Sequence, residues 1–351
     1  MNRKRVLTIV VVTLVLAGLI YLQIRAWRRF DWAKFAEGSE GINWLRVLYG
    51  ILLIHLADAL RAVRWKIFLR PTRPRASWLS LVAPQYVGFA GLALLGRPGE
   101  FIRPYIIARK YDLSFPSQVA IWFVERAFDV GAVTLLLSID LFAVPSMRED
   151  YPGWAAFGYA LIALFFLFVA LQWALWRHGP AISAWICRQL SRFSPSAGSS
   201  MEKKLLAVSS GMSAIKDPLS FLELSVISVA IWLLVGLAYR QVTHAYPADT
   251  GLPGLNLPEV ILLMGSSVAG GVIQLPVIGG GSQLATIAVI THTFGYTDSP
   301  ELAVSCGILL WLVTFMSVIP IGLILAHREH ISLRKVGEES EEEAQAETGD
   351  D

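Results

Sequence analysis

The sequence predicts an all-α, polytopic integral membrane protein. Of its 351 residues, 55% are hydrophobic and only 16% are charged, whereas about 25% is typical of soluble domains. The mean hydropathy is +0.55. Several apolar runs also reach the roughly 20 residues that a helix needs to cross a bilayer. Because backbone that faces lipid must satisfy its own hydrogen bonds, these runs are expected to be helices.

Six uninterrupted apolar runs predict full spans, in chain order 6–24, 45–64, 117–144, 154–176, 221–241 and 302–326. The first run follows three basic residues but is long and lacks a clear cleavage site, so we expect an uncleaved span and not a signal peptide. Residues 1–328 would form one membrane domain. Residues 329–351, acidic and without aromatic side chains, are expected to be a disordered cytoplasmic tail.

Two further apolar runs, 79–95 and 259–294, are interrupted by helix-breaking residues. The interruptions are Pro84, Gly88 and Gly91 in the first run, and Gly270, Gly271, Pro276, Gly279, Gly280 and Gly281 in the second. Paired broken segments in the two halves of a membrane protein indicate a transporter site. Each run is therefore expected to be a re-entrant hairpin. The alternative is that they form ordinary spans, for a total of eight to nine.

Loop charges predict the orientation of these segments. Basic residues concentrate before residue 6, between 61 and 75, and between 177 and 217, while residues 242–258 contain no Lys or Arg. Because cytoplasmic loops are enriched in Lys and Arg, both termini are expected in the cytoplasm. In this arrangement run 79–95 enters and leaves from the inside, and run 259–294 from the outside.

Three charged residues, Glu125, Arg126 and Asp129, lie within the run 117–144. Charges at this depth are costly and usually mark a substrate or ion pathway. Glu125 and Asp129 are one helical turn apart and share a face, while Arg126 points about 100° away. Other segments should therefore supply their basic partners. The candidates are Arg61, Arg64, Arg97 and Arg103. The alternative is an ion-pair lock that binds no ligand.

A second charged group, residues 96–103, precedes that run. A helix beginning at Pro98 would direct its free N–H groups back toward the first hairpin, with Glu100 favoured in its first turn. Arg97 and Arg103 would add positive charge, so the segment predicts a pocket for a phosphate headgroup. The alternative is a plain cytoplasmic turn whose arginines touch bulk lipid.

His55, Asp58 and Arg61 are spaced three residues apart on the second span. His55 and Asp58 are candidates for proton coupling, because histidine changes charge near neutral pH. The alternative is a local pair at the cytoplasmic edge of the span.

The late glycines would expose backbone dipoles, Gln283 would add a neutral hydrogen-bonding group, and this broken segment would allow gating. A nucleotide-binding glycine loop is excluded here because no strand precedes it and no Lys follows. Cys187 and Cys306 lie far apart, and the sequence contains no metal-ligand spacing, so no cofactor is expected. The basic residues border apolar runs and form no soluble basic surface, which argues against a nucleic-acid partner.

Together these groups resemble the membrane domain of the lysylphosphatidylglycerol synthases, which also occurs alone as a flippase-like protein. The resemblance extends over residues 6–326, and its motifs are Arg61–Trp65, Gly96–Glu100 with Arg103, Glu125-Arg126 with Asp129, and Leu275-Pro276 followed by Gly279–Gly281. The family often has a Glu after these glycines, where this chain has Gln283. The synthase members carry a large cytosolic domain after the last span, where this chain has only residues 327–351, so the resemblance implies a stand-alone member and does not carry the aminoacyl-transfer activity over to it.

The resemblance and the buried charges together imply a non-enzymatic flippase or lipid transporter of the cytoplasmic membrane. Its expected partners are anionic or phosphate-bearing membrane lipids, together with a second copy of the chain or a separate lipid-modifying enzyme. Two alternatives stay open: an integral-membrane enzyme acting on a lipid-linked substrate, and an accessory subunit in which the charges are only structural.

Overall fold

The structure is a computed structural model, and every described element is helical. It describes residues 36, 39–143, 153, 156, 158–160, 162–167, 170, 217–271 and 280–328. The predicted span 6–24, most of the span 154–176 and the acidic tail 329–351 lie outside these ranges.

Within the described residues the helices follow a repeated order of long helix, helical hairpin and long helix. In the first half these are α1 (Trp44–Leu69), α2 (Leu79–Leu95), α3 (Ile102–Tyr111) and α4 (Phe115–Ala143). In the second half they are α5 (Pro218–Thr243), α6 (Leu257–Gly270), α7 (Gly280–Ala288), α8 (Pro300–Trp311) and α9 (Val318–Arg328). A 3₁₀ turn, Arg97–Phe101, joins α2 to α3. The π-helical segments Val289–Thr293 and Leu312–Met316 extend α7 and join α8 to α9.

Two of the described segments, Pro218–Thr243 and Pro300–Arg328, are both long enough and apolar enough to cross a bilayer. Helices α1 and α4 have 26 and 29 residues, so at 1.5 Å per residue they have sufficient length, but each carries charged side chains along one face. Large apolar side chains on the outer face of α1 are exposed, including Leu45, Leu48, Leu52 and Leu56. Their spacing forms a stripe of the kind that faces lipid.

The two halves pack against each other in a reciprocal way. Helix α1 lies along α5, the hairpin helix α2 packs on α9, and α4 packs on the other hairpin helix, α6. The main apolar core lies between these helices and includes fully buried Ile231, Leu263 and Ile290. As a result, each hairpin contacts a helix of the opposite half as well as helices of its own half.

The first hairpin does not turn within residues 79–95, where the sequence predicts its turn. Helix α2 runs from Leu79 to Leu95 and contains Pro84 in its second turn, where the ring removes an i→i−4 backbone hydrogen bond but does not end the helix. The chain reverses at Gly96, whose φ of +71° suits glycine. The returning limb is Arg97–Tyr111, so the prediction that run 79–95 contains both limbs is wrong.

Glycines in this hairpin permit close packing of its limbs. A Cβ at Gly88 would lie 2.6 Å from the Cβ of Arg103, and a Cβ at Gly99 would overlap the backbone of Gly91. The open ends of the hairpin are also joined, because Arg73 Nε donates to the Tyr111 carbonyl at 2.8 Å and Arg73 Nη2 donates to the Asp112 carbonyl at 3.0 Å. The hairpin is therefore held together at both its tip and its base.

The second hairpin breaks at its glycines, as the sequence predicts. Helix α6 ends at Gly270 and α7 begins at Gly280, while Pro276 and Gly279 lie outside the described residues. The limbs meet closely, since a Cβ at Gly270 would overlap the carbonyl of Gly281. Tyr239 Oη donates to Ser267 Oγ at 2.8 Å, and Ser267 in turn bonds to Ser282 at 2.5 Å. In the described residues, a hydroxyl pair therefore bridges the two limbs.

We expect Gly99→Ala to destabilise the protein by about 1–3 kcal/mol or more, because rigid backbone leaves no space for the added methyl group. Gly254→Ala is the control, since nothing lies within 4 Å of a Cβ built there. Thermal unfolding of the purified protein in detergent measures both. Equal melting temperatures for the two variants would contradict the close packing of the hairpin.

Candidate functional site

Five charged side chains meet where the first hairpin packs against α4 and α1. This charged cluster consists of Arg64 from α1, Arg103 from α3, and Glu125, Arg126 and Asp129 from α4. Glu125 is fully buried and Asp129 is 5% exposed. Their i, i+4 spacing places both carboxylates on one face of α4. Two acids on one buried face repel each other unless cations neutralise them.

Arg64 neutralises both acids at once. Its Nη2 lies 2.6 Å from Glu125 Oε1 and its Nη1 lies 2.7 Å from Asp129 Oδ1. Arg64 also donates to Ser228 Oγ on α5 at 2.8 Å. A guanidinium can make these contacts together because its donors are arranged in a planar fork. Arg64 therefore links α1, α4 and α5.

Glu125 also pairs with a residue of the first hairpin. Arg103 pairs with both oxygens of Glu125, and Trp65 Nε1 donates to Glu125 Oε2 at 3.1 Å. The prediction that other segments supply the partners of the acids is confirmed for Arg64 and Arg103. It is wrong for Arg61, which pairs with Asp58. The side chain of Arg97 lies outside what the structure describes.

Arg126 differs from the other members because it reaches both the acids and open space. Its Nη2 lies 2.9 Å from Asp129 Oδ2 and 3.7 Å from Glu125 Oε2, while 37% of its side chain is exposed. The expectation that Arg126 points away from the acids is wrong, because its long side chain curls along the helix to the residue one turn later.

A narrow cleft of about 20 Å³ opens beside Arg126, between the first hairpin and α4. Its lining combines charged, amide and aromatic side chains: Gln85, Gly88, Phe89, Leu92, Glu100, Arg103, Trp122 and Arg126. Arg103 Nη1 donates to Gln85 Oε1 at 2.7 Å, whereas Gln85 Nε2 is buried with no hydrogen-bond partner among the described residues. The cleft therefore presents hydrogen-bond donors from Arg126 and Gln85 beside the positive charge of Arg103, which suit an anionic oxygen such as that of a phosphate.

Sequence reasoning missed Gln85, Phe89 and Trp122 as cleft residues. Gln85 carried a signal, because it is a polar side chain inside the apolar run 79–95. Phe89 and Trp122 carried none, since aromatic residues are common throughout membrane helices. By contrast, Glu100 and Arg103 were predicted and both line the cleft. Both belong to the returning limb of the first hairpin, Arg97–Tyr111.

His55, Asp58 and Arg61 do not form one continuous relay. Arg61 Nη1 donates to Asp58 Oδ1 at 2.8 Å, but His55 Nδ1 instead bonds to Tyr86 Oη on α2 at 3.1 Å. Asp58 is 2% exposed, and its Oδ2 has no hydrogen-bond partner among the described residues. The three residues therefore belong to two separate polar pairs, Asp58 with Arg61 and His55 with Tyr86.

The predicted gating residues lie on the second hairpin, away from these charges in sequence. Gly270 and Gly271 end α6, Gly280 and Gly281 begin α7, and Gln283 is half-buried on α7. Within the described part of the chain, no group of three or more His, Cys, Asp or Glu side chains is arranged to hold a metal ion.

Comparison with known families identifies one match. The family model described as "Lysylphosphatidylglycerol synthase TM region" matches residues 6–322. No curated protein and no solved structure matches the chain.

We expect Glu125→Gln to lower the free energy of unfolding by about 3–5 kcal/mol, because it leaves Arg64 and Arg103 buried with a lost counter-charge. The matched control is Glu223→Gln. Glu223 pairs with Arg70 at 2.9 Å, but their side chains are 33% and 49% exposed, so this loss should cost about 1 kcal/mol or less. Thermal unfolding in detergent compares the two variants. A Glu125→Gln protein as stable as wild type would show that the pairs are not structural.

Proposed function

This chain belongs to the lysylphosphatidylglycerol synthase transmembrane-region family, and on that premise we propose that it moves a phosphate-bearing lipid across the cytoplasmic membrane. The family makes it a membrane protein related to lipid handling. The observation that carries the proposal is the cleft, where the partly exposed Arg126 meets buried Arg103 and Gln85.

Arg126 supplies the binding charge in this proposal. Arginine binds phosphate through several N–H donors in a planar array, and such charge-assisted hydrogen bonds are stronger than neutral ones. Arg103 is already engaged with Glu125 and Gln85, so its contribution is a fixed positive charge behind the ligand. Glu125 and Arg64 would not touch the ligand, because both are fully enclosed.

The surroundings of the cleft favour a lipid over a soluble anion. Phe101 and Phe123 are 38% and 61% exposed, and their rings lie 5.3 Å and 4.8 Å from that of Trp122, which lines the cleft. These apolar rings would accommodate acyl chains next to a headgroup held by Arg126. The cleft of about 20 Å³ has room for about one water molecule, so in this proposal a headgroup enters when the first hairpin and α4 move apart.

The two hairpins provide the route in this proposal. They would enter the bilayer from opposite faces as re-entrant elements, with both termini in the cytoplasm. The first would hold the headgroup, and the glycine-bounded break between Gly270 and Gly280 would gate the opposite side. The chain would carry out this movement without chemically converting the lipid.

Proton coupling would involve His55 or Asp58, not Glu125. Both Glu125 oxygens accept charge-assisted hydrogen bonds, which favour the ionised carboxylate. Flux that stays unchanged when a protonophore collapses the proton gradient would contradict this coupling.

A second candidate function is that of an accessory subunit whose charges only fix helix packing. The enclosed pair of Arg64 and Glu125 favours it, since such a pair fulfils a structural role without a ligand. A separate lipid-modifying enzyme or a second copy of the chain would then be the partner.

Lipid scrambling in proteoliposomes with a panel of labelled headgroups tests the transport proposal. We expect Arg126→Gln to keep its fold and to lose at least about tenfold in flux, because one charged hydrogen-bonding group to phosphate is worth about 1.5–3 kcal/mol. Arg126→Lys should recover part of the flux, because it restores the charge without the planar fork.

The control for this experiment is Arg46→Gln. It removes an exposed arginine near the start of α1, whereas the charged cluster lies near the end of that helix. It should transport at the wild-type rate. If folded wild-type protein moves no lipid of the panel, the transport proposal fails and the accessory-subunit function gains support.

A further inference from the structure

Arg61 is a buried arginine with fewer hydrogen-bonded partners than Arg64 on the same helix. A guanidinium has five N–H donors. In the described structure Arg61 has one hydrogen-bonded partner, Asp58 Oδ1 at 2.8 Å, whereas Arg64, one turn later, bonds to Glu125, Asp129 and Ser228. Asp58 is also incompletely satisfied, because its buried Oδ2 has no partner among the described residues.

Aromatic rings surround the remaining face of Arg61. Its Cζ lies 5.3 Å from the ring centroid of Phe89 and 5.9 Å from that of Trp232. Rings attract a guanidinium through their electron-rich faces, but they accept none of its N–H bonds in the way that an oxygen does. The rings therefore position Arg61 and leave hydrogen-bonding capacity for a ligand.

Phe89 connects this position to the cleft. Its side chain lines the cleft together with Arg103 and Arg126, and the same side chain contacts Arg61. Arg61 thus lies next to the cleft with one half-buried aromatic ring between them. Along α1, Arg61 and Asp58 lie about 4.5 Å and about 9 Å from the level of Arg64, in the direction of the helix start.

We propose that Arg61 forms a second phosphate subsite, which receives the headgroup from Arg126 after Phe89 moves aside. This inference rests on the proposed transport function and adds a defined step to it. In the absence of phosphate, the Asp58 carboxylate pairs with the Arg61 guanidinium and neutralises its charge. When a phosphate oxygen arrives it competes with Asp58, so the subsite binds the headgroup weakly enough to release it.

The charged and titratable groups around the subsite fit this role. Asp58 and His55 lie on α1, Tyr86 on α2 bonds to His55, and Arg103 on α3 lies across Phe89. Asp58 is the only acid among these four groups. Its removal should therefore strengthen phosphate binding at Arg61.

The test measures binding and flux separately. The double variant Asp58→Asn/Arg61→Gln removes both charges together and leaves no unpaired buried ion, so it should fold. Calorimetric titration with a short-chain phospholipid in detergent should give a Kd within about threefold of wild type, because Arg126 is intact. Flux in proteoliposomes should fall at least about tenfold, which corresponds to 1.4 kcal/mol.

The single variant Asp58→Asn should instead bind the short-chain lipid about tenfold more tightly, since the competing carboxylate is gone. A double variant that transports at the wild-type rate would overturn the subsite and leave the transport function intact, provided that Arg126→Gln still loses flux. Absence of flux in wild type itself would reject the transport function, and the subsite with it.

A parallel titration with inorganic phosphate distinguishes a headgroup from a free ion. We expect the lipid to bind to Asp58→Asn at least about tenfold more tightly than inorganic phosphate, because its glycerol and chains add contacts to Phe89 and Trp232. Tightened binding of inorganic phosphate alone would make Arg61 an ion site and would overturn its assignment as a headgroup subsite.

Discussion

The ion pairs of Glu125 with Arg64 and Arg103 are the interaction on which this architecture depends. A single carboxylate, enclosed by protein, receives two guanidinium groups and an indole N–H from two other segments. Placing such a charge in an apolar interior costs several kcal/mol unless each of its oxygens is satisfied. The pairs therefore require α1, α4 and the first hairpin to assemble in one register, and that register creates the cleft beside Arg126.

The arginines of the charged cluster have different roles. Arg64 is fully buried, and its terminal nitrogens are engaged by two acids and a serine, so it stabilises the helix arrangement. Arg126 shares the same acids but keeps over a third of its side chain open to the cleft. The acids thus hold Arg126 in place while it offers its free donors outward. A lone arginine at the same depth would snorkel toward the nearest interface.

Much of the fold and part of the site were predictable from the sequence. Apolar length predicted α1, α4, α5 and the joined α8 and α9, and the cost of burying charge predicted that Glu125 needs distant basic partners. The specific pairing was not predictable, because Arg61 and Arg64 are one turn apart on the same helix and only packing decides which of them reaches α4. The position of the first turn was also missed. Glycine allows both chain reversal and close helix contact, and Gly88 and Gly91 provide contact whereas Gly96 provides the reversal.

The contacts that join the two limbs of the first hairpin also bear on whether lipid could pass through the empty protein. Its limbs are joined at the tip by glycine packing and at the base by Arg73, so we expect the hairpin to move as a rigid lever. Arg103 belongs to this lever, whereas Glu125 belongs to α4, and any swing of the lever has to separate these two charges inside the protein. In the empty protein that separation would cost about 3–5 kcal/mol, because it leaves buried charges unpaired. Under the proposed transport function, a phosphate held by Arg126 in front of Arg103 would offset part of the attraction that this separation removes, so the protein would rock only when loaded and would stay sealed when empty.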